Sequence, residues 1–88
     1  MTTLKEINVA RNRLCYCLTE NKRDDGSVSY GVRITTTLFG EPETAAVEDL
    51  SSDKQLTERF LELAADNLVL PSTLTEVAED YIAALYTV

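Results

Sequence analysis

The stretch Val28-Ser29-Tyr30-Gly31-Val32-Arg33-Ile34-Thr35-Thr36-Thr37-Leu38 decides the fold. Val28, Tyr30, Val32, Ile34, Thr36 and Leu38 fall on one side of an extended chain; Ser29, Gly31, Arg33, Thr35 and Thr37 fall on the other. A period of two over such a length marks a strand with one face turned to a core. Upstream, from about Arg13 to Glu20, Leu14, Tyr16 and Leu18 share a face, and Arg13, Cys15, Cys17 and Thr19 share the opposite one. Between the two runs lies Asp25-Gly26, a turn signal because glycine tolerates positive φ. The two strands therefore pair as an antiparallel hairpin.

Gly40, Glu41 and Pro42 end the long strand, since proline cannot donate to a ladder. Thr44 to Leu50 resumes, with Ala45 and Val47 on a common face, as a third and weaker strand. Residues 1–12 leave two readings open. Ile7 and Val9 are odd-numbered whereas the next apolar set is even, so this segment reads either as a short extra strand turning near Asn12 or as a loosely packed arm.

Two capped helices follow. Ser52 stands three residues before Gln55 in the pattern of a capping box, and Leu56, Phe60, Leu63 and Ala64 recur at helical spacing. Asn67 suits a left-handed C-cap, with Leu68 folding back on the last turn, and Pro71 ends the connection. Thr73 with Glu76 gives a second capping box, ahead of the stripe Leu74, Val77, Ala78, Tyr81, Ile82 and Leu85. The expected fold class is α+β: one domain over 1–88, with a three-stranded antiparallel β-meander at 13–50. An α-helical hairpin at 52–86 packs on one sheet face, giving the order β-β-β-α-α.

The chain has 88 residues and a net charge of −7. Residues 1–33 hold six basic and four acidic residues, a balance of +2; residues 34–88 hold two and eleven, a balance of −9. An acidic protein is repelled by duplex DNA and by anionic membranes. No apolar run approaches membrane-spanning length. With no secretory leader pattern and two cysteines, too few for a disulfide framework, the chain reads as a reduced, cytoplasmic protein.

Three stretches carry a family likeness: Tyr30-Gly31-Val32-Arg33-Ile34, Val47-Glu48-Asp49-Leu50-Ser51-Ser52-Asp53, and Pro71 through Leu74 with Glu76, Val77, Glu79, Asp80 and Tyr81. In order and spacing they resemble a family of short proteins from Gram-positive anaerobic bacteria, a domain of unknown function. The likeness runs from about Leu14 to Leu85. It implies a small cytosolic bacterial protein and transfers no catalytic residue.

Two surfaces are candidates for function. The sheet face turned from the helices presents Arg13, Cys15, Cys17, Gly31 and Arg33, and the missing side chain at Gly31 lets something approach the backbone. Glu58, Glu62 and Asp66, spaced i, i+4, i+8, form an acidic stripe. Like charges at that spacing repel and point to water, but on converging helices carboxylates hold Mg²⁺. Cys15 and Cys17 project side by side, without the spacing or the helix N-terminus of a redox pair. Two thiols and no histidine fall short of a four-ligand zinc site, and no histidine can serve as a base.

The expectation is a non-enzymatic module that needs no metal or cofactor. It binds a protein partner and self-associates as a homodimer, with no membrane contact and nucleic acid disfavoured. An acidic mimic of nucleic acid, bound to a DNA- or RNA-binding protein, is the alternative. A Mg²⁺-dependent enzyme using the helix carboxylates comes third.

Overall fold

The computed structural model describes residues 2–86; Met1 and residues 87–88, the ends of the expected 1–88 domain, lie outside them. The alternating stretch becomes β3 (Val28–Thr36), paired antiparallel with β2 (Leu14–Lys22). Thr37 to Gly40 already form the following turn, so Leu38 is exposed and does not extend the buried face. On its other side β3 pairs with β4 (Glu43–Ser51), the third run of the sequence reading.

Among the described residues the sheet has four strands and not three. Residues 2–9 form β1 (Thr2–Val9), an edge strand antiparallel to β2, in the order β1-β2-β3-β4. The odd numbering of Ile7 and Val9 is what this pairing requires. Val9 lies opposite Leu14 across a four-residue turn, so odd positions of β1 share a face with even positions of β2. Ile7 and Val9 thus join the core beside Leu14 and Tyr16. The turn hides itself in the sequence because it contains no glycine. Ala10, Arg11 and Asn12 all adopt positive φ, at 53°, 58° and 66°. Only asparagine among these adopts that region with any frequency.

Helix α1 (Lys54–Asp66) covers β2 and β3, and α2 (Leu74–Tyr86) lies against β4. Leu14, Tyr16, Leu18, Val32 and Ile34 from the sheet meet Phe60, Leu61, Ala64, Leu74 and Ala78 from the helices. The Phe60 and Tyr81 rings, 5.0 Å apart, join the two helices. The buried face of α1 is rotated from the expected stripe. Thr57, Phe60, Leu61, Ala64 and Ala65 point inward, while Leu63 is 45% exposed.

The caps also sit one step from where the sequence suggests. Asp53, not Ser52, is the N-cap of α1, its carboxylate accepting from Leu56 N at 3.2 Å. Ser51 Oγ in turn accepts from Asp53 N. At the other end Leu68, not Asn67, takes the left-handed conformation, with φ 53°. Leu68 N donates to Ala65 O and Val69 N to Ala64 O, the paired bonds of a Schellman ending. The buried Tyr16 hydroxyl donates to Val69 O at 2.8 Å and ties this connection to the sheet. A single 3-10 turn, Pro71–Thr73, then leads into α2, and Thr73 Oγ1 donates back to Leu70 O rather than capping the helix.

Candidate functional site

The face turned from the helices follows from the register. Glu6 of β1 lies opposite Cys17 and Asn8 opposite Cys15; on the far side Cys17 faces Arg33 and Cys15 faces Thr35. The Cys15 and Cys17 sulfurs are 3.6 Å apart. One Glu6 carboxylate oxygen and the two sulfurs all lie within 4.8 Å of one another. Asn8 Nδ2 donates to Glu6 Oε1 at 3.1 Å. Burial and the neighbouring Cys17 sulfur push the Cys15 thiol up to about 12, so it holds its proton at neutral pH.

This face is less open than its polar residues suggest. Arg33 donates to Thr3 Oγ1 at 3.3 Å, a bond that spans from β3 to β1 across the outer side of β2. Beneath it Cys17 and Thr19 are 4% and 1% exposed. Gly31 is approached as expected, but by the chain itself. Between Tyr30↔Ser51 and Val32↔Val47 three residues of β4 stand opposite Gly31 alone. A Cβ there would lie 2.6 Å from Glu48 O. Asn21 Nδ2 reaches over from β2 to donate to that same carbonyl. Gly31 is therefore a seat for the β4 bulge, and Arg13 lies exposed in the β1–β2 turn.

The acidic stripe is likewise engaged internally. Lys5 of β1 sits 3.1 Å from Glu58 and 3.2 Å from Glu62, and these hydrogen bonds raise its pKa. All three side chains are more than a third exposed, so the pairs add little stability. They matter for what they occupy. Two of the three carboxylates of this candidate interaction stripe already share a cation, and Asp66 stands a further turn away at the helix end.

A cleft the sequence reading missed opens between β4 and α2. It is an open groove of about 440 Å³, lined by Val47, Leu50, Ala78 and Ile82 together with Asp49 and Glu79. The β4 bulge creates it, because Leu50 escapes the odd-numbered alternation of Ala45 and Val47 and turns toward the helices. The two bordering elements carry Glu43, Glu48, Asp49, Glu76, Glu79 and Asp80, and neither carries a lysine or arginine. Arg23, from the β2–β3 turn, pairs with Asp49 at 2.6 Å. The signal available beforehand was the −9 balance of residues 34–88, read without knowing that β4 and α2 adjoin.

A model of the family of unknown function DUF6514 matches residues 1–84. The chain belongs to DUF6514. The match starts before Leu14 and takes in the whole of β1, the strand that the residue likeness left out. No curated protein and no solved structure matches the chain. Within this DUF6514 chain, the three stretches that carried the likeness now have structural duties. Gly31 seats the bulge, Ser51 and Asp53 start α1, and Pro71 opens the turn into α2.

Proposed function

We propose that this DUF6514 protein is a non-enzymatic interaction module of the bacterial cytoplasm, of the Gram-positive anaerobic type its residues resemble. Its partner is a protein that inserts an apolar side chain, flanked by lysines or arginines, into the β4–α2 cleft. One observation carries this reading: an apolar cleft of about 440 Å³ lies between two elements that bear six carboxylates and no basic residue. The apolar floor supplies an anchor site, and the carboxylates favour a cationic partner while speeding its encounter at low salt. A second copy of the chain, itself at −7, is the less favoured occupant. The lack of histidine and the Lys5 bridge to Glu58 and Glu62 both weigh on the side of binding over catalysis.

The test is affinity capture from a host lysate treated with nuclease, comparing wild type with Glu76→Lys/Glu79→Lys and with the outer-face variant Thr35→Lys. A protein retained by wild type and by Thr35→Lys, released by salt and lost at least tenfold with the helix double variant, supports the cleft. Equal retention by the double variant contradicts it. Retention that free duplex DNA competes away moves the carboxylates to the role of a nucleic-acid mimic.

A further inference from the structure

We propose that Glu6, Cys15 and Cys17 form a three-ligand site for Zn²⁺ on the outer face of the sheet. The site is independent of the cleft and needs no partner protein. Counting thiols and imidazoles along the sequence misses it, because the third ligand arrives from the neighbouring strand. Antiparallel register places Glu6 of β1 directly opposite Cys17, and Cys15 follows two residues along the same face of β2. The ladder therefore fixes all three ligand-bearing positions on adjacent strands.

The distances suit the ion. Zinc–sulfur bonds of about 2.3 Å at a tetrahedral angle hold two sulfurs about 3.8 Å apart. Here the sulfurs are 3.6 Å apart. A carboxylate oxygen on the same ion stands about 3.5 Å from each sulfur. The three ligand atoms lie within 4.8 Å of one another, so rotation of the exposed Glu6 side chain closes the set. Asn8 holds the other requirement of such sites, a second group that orients a ligand, through its 3.1 Å bond to Glu6 Oε1. Paired thiolates select zinc over magnesium or calcium, which take oxygen ligands.

A disulfide fits the same pair less well. Residues two apart on a strand have Cα atoms about 6.7 Å apart, at the long end of the disulfide range of about 4.4–6.8 Å. Joining the sulfurs from 3.6 Å would bend β2 in the middle of the sheet. Zinc needs no such bend. Binding one Zn²⁺ expels the two thiol protons to solvent and leaves two thiolates, one carboxylate and a fourth position open to water. No electron is transferred.

The experiment uses the full chain, reduced and freed of metal with a chelator, titrated with Co²⁺ and then with Zn²⁺. The expected result is one Co²⁺ per chain, with sulfur-to-cobalt charge-transfer bands and the intense visible bands of a tetrahedral ion, all lost when Zn²⁺ displaces it. Cys15→Ser abolishes the charge-transfer bands of the pair, and Glu6→Gln weakens binding at least tenfold, both with unchanged circular dichroism. Both residues are at least partly exposed, so these variants test the site without emptying the core. Absence of sulfur-to-cobalt bands overturns the proposal. So does Glu6→Gln binding as tightly as wild type. A stoichiometry of half a metal per chain with dimer formation also overturns it, since four thiolates from two copies would then be the ligands.

Discussion

The two faces of the sheet bury residues by different means, the inner face along its central strands and the outer face only at a few positions. On the helix side Leu14, Tyr16, Leu18, Val32 and Ile34 are covered by a second layer, α1 and α2. On the outer side Cys17, Thr19, Ser29 and Gly31 are buried by the sheet's own side chains and by the bulged strand β4. Burial by a layer leaves a period-two pattern of apolar residues in the sequence. Burial by neighbours on the same face leaves small and polar residues, which read as exposed. The first kind makes the core of this chain. Beside the second kind, the buried Cys17, the half-buried Cys15 and the exposed Glu6 come together without a cavity.

Removing the layer should cost most. Phe60→Ala, at a fully buried position against Tyr81, is expected to destabilise by about 4 kcal/mol in urea unfolding. A cost under about 1 kcal/mol would mean the helix layer is not what holds the inner face. On the outer face, Gly31→Ala places a Cβ 2.6 Å from Glu48 O, a backbone atom that must shift. The expected loss is about 2–3 kcal/mol, seen as a melting temperature lower by about 10–20 °C. An unchanged melting temperature would show that β4 does not press on β3 there.

Smaller effects sharpen the contrast. Tyr16→Phe leaves Val69 O without its 2.8 Å donor and should cost about 1–2 kcal/mol. Asp53→Ala should cost about 1 kcal/mol, whereas Ser52→Ala should be nearly silent, because the cap bond to Leu56 N belongs to Asp53. Equal losses would return the cap to Ser52.

The weakest probe is pH, applied to metal-free protein. Cys15 is raised from 9.0 to about 12, mainly by burial and then by Cys17, so the native chain keeps a proton that the unfolded chain has lost. The unfolded state binds fewer protons in that range, and the stability contribution is complete below about pH 9 and declines as pH rises toward about 12. Urea midpoints across this range should fall for wild type and fall less for Cys15→Ser.

Much of the fold was legible because it rests on period and punctuation. The β2–β3 hairpin, the weaker β4, the breaker at Gly40–Pro42 and the two helices follow from apolar spacing and turn residues. What escaped lacked that punctuation. The β1–β2 turn uses Ala10, Arg11 and Asn12 at positive φ, so no glycine marks it and β1 could be read as an arm. Leu63 and Leu61 fit a helical stripe almost equally; packing against the sheet chose Leu61.

The candidate sites were legible only in part. Cys15 and Cys17 share a face as alternation requires, but Glu6 joins them through cross-strand register, which no local pattern encodes. Arg33 and Gly31 are on the expected face, yet their contacts are with Thr3 and the β4 bulge. Glu58 and Glu62 meet a lysine more than fifty positions away in the chain. The cleft depends on a bulge and on two distant segments adjoining, so its acidic border appeared only as a charge imbalance.

The central claim is that the sheet separates a thiol-based zinc site on one side from a carboxylate-bordered cleft on the other. Amide and methyl chemical-shift mapping of the isotope-labelled, reduced chain during a Zn²⁺ titration tests it most directly. The account predicts saturable shifts at Glu6, Cys15, Cys17 and their strand neighbours Asn8 and Arg33, with Val47, Leu50, Ala78 and Ile82 unmoved. Shifts centred on the β4–α2 carboxylates, with none at the cysteines, would contradict it.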